Sequence, residues 1–344
     1  MILQTVKVEE AVGRVLCHDI TKIIRGKFKG ASFKKGRVIG KQDIPELLKL
    51  GKENIYVLEL EQDEVHEDEA GIRLGMAAAG ANTIWSGPQE SRVNIYAGCD
   101  GLLKINVPFL EAVNGLPDVI MSTLLNNTVV KKGDMLAGTK VIPLLVPEQT
   151  LAEAERICRE AGWLVKVKPF KAHRVGLVIT GNEVYKKRIR DCFGPVIKEK
   201  MAAFGSTVME IEYVPDDRDQ IRNKICEMAD GGAQIIFVTG GMSVDPNDVT
   251  PKAIRLTGAV VEKYGAPALP GAMFMLAYLG DVPVLGIPAC GMFFKTTVVD
   301  LLLPRLLAGE KVTGKNIAAL AHGGLCRLCD TCRFPNCTFG KGAN

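Results

Sequence analysis

Residues 234–251 constrain this chain more than any other stretch: Gln-Ile-Ile-Phe-Val-Thr-Gly-Gly-Met-Ser-Val-Asp-Pro-Asn-Asp-Val-Thr-Pro. The run Ile235-Ile236-Phe237-Val238 is β-branched and aromatic, and it predicts a strand buried on both faces. Gly240 and Gly241 permit a sharp turn and let backbone N–H groups approach an anion. Thr250 is placed to cap a helix that opens with Pro251. Between turn and helix stand Ser243, Asp245 and Asp248. Strand, glycine turn and acidic loop together predict a ligand site at the carboxyl edge of a parallel sheet. A plain tight turn with solvated aspartates is the bland alternative, so the surrounding pattern has to decide.

That pattern is an alternation of strands and helices from about residue 173 to 307. Strands are predicted at 175–180, 207–214, 235–238, 259–263 and 282–287. Helical patterns follow Gly181-Asn182-Glu183 through Phe204, run over 216–228 with Ile221, Ile225 and Met228 on one face, start again at Pro251, and cover 293–307. Asp216 or Asp217 is a plausible cap for the second of these. The expected fold class is α/β, a doubly wound and mainly parallel sheet with smaller β-rich amino-terminal domains. Pro270-Gly271 and Gly286-Ile287-Pro288 add rigid turns near later strands, and in such a sheet these loops converge on one rim.

The order and spacing of these turns resemble the molybdopterin-binding domain of molybdenum cofactor biosynthesis proteins, over roughly residues 173–307. The Gly240-Gly241 stretch through Ser243, Asp248, Thr250 and Pro251 is similar to that family's central loop. Thr180-Gly181-Asn182-Glu183-Val184 is similar to its Thr-Gly-Asp/Asn-Glu turn, and Arg190-Asp191 to the acidic position that follows. Ala11 to Leu16 with Asp19-Ile20, then Phe33-Lys34-Lys35-Gly36, resemble the opening of the molybdopterin molybdotransferases. Three departures are visible. The Asp-Gly-Tyr-Ala signature is replaced by Lys27-Phe28-Lys29-Gly30-Ala31. Ala289-Cys290-Gly291 stands where the family has Gly-Asn-Pro or Gly-Ser-Pro. Asn182 stands where many relatives have Asp, and an amide is neither a base nor a strong hard-metal ligand.

The resemblance implies a transferase-type protein of molybdenum cofactor biosynthesis that acts on the phosphate end of molybdopterin, by magnesium-dependent adenylylation or by molybdate insertion. Asp248 and Asp191 would be the catalytic carboxylates, with Asp248 holding Mg²⁺ beside ATP or an adenylate. Thr180, Gly181, Asn182, Glu183, Gly240, Gly241, Ser243, Pro270, Gly271 and Pro288 would bind the cofactor. Lys252 and Lys295 are candidate phosphate partners. A non-catalytic sensor, store or delivery protein is the alternative, and a competence-damage-type nucleotide pyrophosphatase is a second. A recipient molybdoenzyme and a homo-oligomer are the partners that the family implies.

Composition fits a protein of 344 residues with more than one domain. The expected division is 1–70, a small α+β domain; 71–165, mixed or β-rich with a linking helix over 147–161; 170–310, the sheet domain; and 311–344, a cysteine-rich tail. Charged residues make up 24%, the formal net charge is +4, and aromatics are 6% without basic–aromatic interleaving. Nothing here supports nucleic-acid binding. No apolar run reaches membrane-spanning length, and Lys7, Glu9 and Glu10 follow too early for a signal peptide, so a cytoplasmic protein is expected. The acidic run from Glu59 through Glu61 to Glu69 predicts a solvated helix or linker. Serine-hydrolase, zincin, P-loop and Rossmann fingerprints are absent.

Ten cysteines are present, and four crowd together as Cys326-x2-Cys329-x2-Cys332-x4-Cys337. Short spacings let several thiolates face one metal without long loop closure. An Fe–S cluster and a four-cysteine zinc site both remain open. Gly323-Gly324 and Gly340-Lys341-Gly342 would suit a mobile tail instead. The other six cysteines read as reduced core residues.

Overall fold

The computed structural model describes residues 2–24, 27–59 and 63–342. It divides into two compact units, one of residues 1–99, 103–124 and 130–167, the other of residues 100–102, 125–129 and 168–344. Glu61 of the acidic run lies outside the described residues. No helix among the described residues is long and apolar enough to cross a membrane.

In the second unit the chain forms, in order, β1 (Arg174–Thr180), α1 (Asn182–Tyr185), α2 (Phe193–Ala202), β2 (Thr207–Val214), α3 (Arg218–Asp230), β3 (Ile235–Thr239) and α4 (Thr250–Leu256). It continues with β4 (Val260–Tyr264), β5 (Met275–Leu279), β6 (Val282–Ile287), α5 (Cys290–Phe293), α6 (Val298–Leu307) and α7 (Gly314–Ala319). The six strands make one sheet in the order β2-β1-β3-β6-β5-β4. The first four are mutually parallel, and β5 alone runs the other way, antiparallel to both β6 and β4. The fold is therefore α/β with a mainly parallel sheet.

Helices cover both faces, which is why β1 and β3 read as unbroken apolar runs. Val175, Leu177, Ile179 and Phe237 pack with α2 and α6 on one face. Val178, Ile236 and Val238 pack with Ile221, Ile225 and Met228 of α3 on the other. Burying those three α3 side chains contributes roughly 1.5–3 kcal/mol each before chain entropy is counted. The helix starts where Asp217 accepts from the N–H groups of Asp219 and Gln220. Gly176 lets α3 lie close, since a Cβ there would stand 2.7 Å from Met228 Sδ.

Sequence patterning missed β5 and ran two pairs of helices together. The helix predicted over 293–307 is two helices. Phe294 is extended, and Thr297 with Asp300 forms a capping box that restarts the chain at Val298. The helical pattern from Glu183 to Phe204 is likewise split into α1 and α2. The glycines near the end do not free a tail. Phe339 is 2% exposed within the core, Gly340 N–H donates to Gly323 O, and Leu325 bridges in parallel to Leu269.

In the first unit, Ile2–Lys7 pairs antiparallel with Asn54–Glu59, over a cluster holding Leu16, Phe33, Ile39 and Leu47. The helix Glu67–Ala78 lies on a four-stranded sheet. Gly71 permits that approach, because a Cβ there would fall 2.1 Å from Ser91 O. Glu67, Asp68 and Glu69 form the first helical turn, where the macrodipole favours acids, so that end of the run takes the helical of its two expected forms, with Glu67 buried rather than solvated. Helix Glu148–Ala161 buries Leu151, Ala154, Ile157 and Cys158 as its spacing implied. Burial pushes the thiols of Cys17 and Cys158 up to about 11, which leaves both inert.

Candidate functional site

The strand order reverses direction between β1 and β3: the chain leaves β1 toward β2 on one side and later fills β3 and β6 on the other. The connection after β1 enters α2 on one face, and the connection after β3 enters α4 on the opposite face. A crevice opens where two such loops part. Thr180-Gly181 and Gly240-Gly241 sit at this switch point, and Pro288 follows β6, whose Ile287 is paired with Thr239.

Gly240 and Gly241 have φ of +88° and +57°, so the turn is left-handed at both residues. A Cβ on Gly240 would stand 2.5 Å from Thr180 O, and one on Gly241 2.8 Å from Thr250 Oγ1. Thr250 Oγ1 donates to Gly240 O at 2.8 Å and lies 3.4 Å from Thr180 Oγ1. Thr250 is thus the first residue of α4 and a clamp on the glycine turn. It is not the side-chain cap that its position suggested, because Val249 is the N-cap. Thr239 Oγ1, just before the turn, is buried without a hydrogen-bond partner among the described residues.

The acidic loop is organised by its own side chains. Asp245 N–H donates to Asp248 Oδ2 at 2.9 Å, and Asn247 N–H to Asp245 Oδ1 at 3.2 Å. Ser243 and Asp245 are exposed and Asp248 is half-buried. Tyr264 donates to Met242 O at 2.7 Å. Burial first, then the nearby Asp248 charge, raises the Tyr264 hydroxyl above its ordinary range and keeps it a donor.

After β1, Gly181 takes φ +133°, and the Glu183 carboxylate lies 2.6 Å from where a Gly181 Cβ would stand. Asn182 N–H donates to Asp216 Oδ2 at 3.0 Å. Sequence reasoning weighed Asp216 only as a helix cap; here it ties the end of β2 to the first rim loop. Asp191 is committed as well. Its carboxylate accepts from the N–H groups of Phe193 and Gly194 at 2.8–3.1 Å, and from Tyr213 Oη at 3.2 Å. It caps α2.

Beside Asp191 lies a cavity of about 890 Å³, lined by Val184, Tyr185, Lys187, Arg188, Ile189, Arg190, Asp191, Gly194, Pro195, Lys198, Ile211 and Tyr213. Four cations therefore line the cavity with a single carboxylate, whose oxygens already have donors. Sequence reasoning missed these cations, and the run from Lys186 to Arg190 was the available signal. Glu183, Ser243 and Asp248 do not line this cavity. Lys252 is exposed on α4.

Pro270 and Gly271 are buried beneath the start of α6. Val298 N–H donates to Pro270 O at 3.3 Å, and a Gly271 Cβ would meet Val298 Cγ1 at 2.6 Å. Pro288 is buried too. Burial raises the half-buried Cys290 thiol despite backbone hydrogen bonds from Cys290 itself and Gly271. These residues shape the rim from below.

Cys326, Cys329, Cys332 and Cys337 all line a second cavity, about 410 Å³, together with Phe293, Phe294, Lys295 and Thr296. Lys295 thus belongs to this cavity. The Thr296 hydroxyl, then the Phe334 backbone, lowers the Cys332 thiol from its ordinary value. Among the described residues, no three His, Cys, Asp or Glu side chains are grouped to hold a metal ion in this conformation.

Residues 176–308 match the family model described as "Probable molybdopterin binding domain", and residues 5–59 match one described as a domain of unknown function. The molybdopterin molybdenumtransferase of Synechococcus elongatus is 26% identical over 176 residues, covering 48% of this chain and 44% of its own. A CinA-like protein of Mycobacterium avium is 30% identical over 81 residues, covering 24% of this chain and 19% of its own. The chain thus spans less than half the length of these curated relatives. Among solved structures, the molybdopterin biosynthesis enzyme MoaB of Thermus thermophilus aligns with 21% identity and a TM-score of 0.33, over 40% of this chain and 98% of that one.

Proposed function

We propose that this chain, whose residues 176–308 are a molybdopterin-binding domain, takes molybdopterin at the rim of its parallel sheet and acts on the phosphate end of that ligand. The observation that carries the reading is the cavity beside Asp191, where Lys187, Arg188, Arg190 and Lys198 face one capped carboxylate. A phosphate monoester supplies the missing negative charge. Asn182 and Glu183, which lead into Val184 of the cavity wall, suit the donor and acceptor edge of a pterin. The amides of the Gly240-Gly241 turn form a second anion-accepting surface, fit for a nucleotide phosphate. Asp248, half-buried with one oxygen engaged by its own loop, is the residue to hold Mg²⁺, which when bound would neutralise phosphate charge. Asp191 positions α2 and the cavity wall in this scheme, its oxygens already engaged by three donors.

The purified chain incubated with molybdopterin and MgATP is expected to yield an adenylated pterin, or, given the adenylated ligand and molybdate, to release the nucleotide. Asp248→Asn should abolish turnover and leave binding in place. Failure in both assays would end the catalytic reading. Binding without turnover would then favour a sensor, store or delivery protein, which the Asn182 amide and the Ala289-Cys290-Gly291 loop already support. Metal-dependent cleavage of ADP-ribose would move the assignment to a nucleotide pyrophosphatase, in keeping with the 81-residue likeness to CinA-like proteins.

A further inference from the structure

We propose that Cys326, Cys329, Cys332 and Cys337 form a four-thiolate site for a thiophilic metal centre, a single Zn²⁺ or an iron–sulfur cluster, separate from the pterin rim. All four sulfurs line one cavity, although the 12 residues of sequence that hold them offered many other arrangements. The backbone repeats one device at two of them. Leu328 N–H lies 3.5 Å from Cys326 Sγ, two residues earlier. Phe334 supplies a backbone hydrogen bond to Cys332, again two residues earlier. Such an amide is a donor placed where a metal-bound sulfur accepts. Leu328 holds φ +50°, a left-handed conformation unusual for a leucine, in the turn that brings its N–H to the sulfur.

The wall chemistry agrees. Thr296 Oγ1 stands 3.3 Å from Cys332 Sγ, and Lys295, Arg327 and Arg333 line the cavity against a single carboxylate, Asp330. Four thiolates around a divalent ion leave a double negative charge, which this cationic wall offsets. Phe293, Phe294, Phe334 and Phe339 supply the apolar part of the same wall. The segment is also tied at both ends, by the Leu325–Leu269 bridge and by buried Phe339, so drawing the sulfurs inward orders only a short closed loop. In the conformation described they line the cavity without sharing a coordination sphere. Binding narrows the cavity, and each cysteine releases its proton to solvent.

The test uses the full chain, purified anaerobically from cells supplied with both metals and assayed for zinc, iron and acid-labile sulfide. The expected result is about one zinc per chain, or iron with matching sulfide and visible absorption. Cys329 and Cys332 are exposed, so Cys329→Ser with Cys332→Ser should leave far-ultraviolet circular dichroism unchanged and cut metal content about tenfold or more. Cys192→Ser, at an exposed cysteine outside the cavity, should change nothing. Should the double variant aggregate, Thr296→Val must still weaken retention against a chelator by about tenfold. The proposal is overturned by sub-stoichiometric metal both as isolated and after reconstitution with Zn²⁺ or with Fe²⁺ and sulfide. Metal content indifferent to the cysteine substitutions overturns it equally. Neither readout involves molybdopterin, so failure here leaves the rim assignment standing.

Discussion

Three glycine substitutions in one unit separate backbone strain from crowding at the rim. Gly258 has φ +83° and nothing within 4 Å of the place a Cβ would occupy, so Gly258→Ala carries strain alone, about 1–2 kcal/mol. Gly176 has no left-handed φ but would press Met228 Sδ at 2.7 Å; the thioether can shift, and about 1 kcal/mol is expected. Gly240 combines φ +88° with backbone, since its Cβ would stand 2.5 Å from Thr180 O and 2.8 Å from Thr180 Oγ1. The first of these is backbone at the end of β1, paired to Val214 of β2, and cannot swing aside as a side chain can. Strain of about 1–2 kcal/mol plus overpacking of about 1–3 gives roughly 2–5 kcal/mol for Gly240→Ala. Hydrogen exchange of the peptide containing Ile235–Thr239 reads the effect inside the sheet, because opening free energies are local. The overpacking of about 1–3 kcal/mol that separates the two predicts exchange in Gly240→Ala about fivefold to 150-fold above that in Gly258→Ala. Equal exchange in the two variants would refute the claim that the glycine turn is pressed onto the end of β1.

Removing Arg188 and Arg190 together as glutamines should weaken molybdopterin binding about tenfold to thirtyfold, at about 1 kcal/mol for each exposed cation, as measured by equilibrium dialysis; an unchanged Kd would remove the phosphate from that cavity. Arg73 donates to both Glu148 and Glu155 at 2.8–3.0 Å, so Arg73→Met should destabilise the first unit by about 1 kcal/mol and by less at high salt. Trp85 and Trp163, the chain's two tryptophans, report that unfolding by fluorescence. Burial alone would raise the Asp43 carboxyl, but the Gly40 amide and the Arg37 guanidinium outweigh it and hold the group below its ordinary value. Its contribution to stability is therefore complete above the usual carboxylate range and is lost as pH falls through the folded value. Asp43→Asn should flatten the acid limb of a stability–pH curve, and an unchanged limb would show that the pairing contributes nothing.

The parallel core was legible because its strands are sandwiched between helices, and an apolar run with β-branched residues has few other readings. The return strand β5, Met275–Leu279, was harder to see. Met-Leu-Ala-Tyr-Leu follows Phe274 without a breaker and would serve a helix equally well, and only pairing with β6 decides. The split before α6 turned on Thr297 and Asp300, a cap hidden inside an apolar stretch. At the rim, glycines announced the turn, yet the partners of the polar groups depended on long-range geometry. Thr250 clamps Gly240, Asp216 holds Asn182, and Asp191 spends its oxygens on α2. No local pattern encodes those choices.

Leu325 joins its strand-like bridge to Leu269, the residue immediately before Pro270, and Cys326 N–H also donates to Leu269 O. The cysteine stretch and the turn at Pro270-Gly271 therefore share one rung of backbone. A displacement of the chain at Cys326 has either to break that hydrogen bond or to carry Leu269 with it.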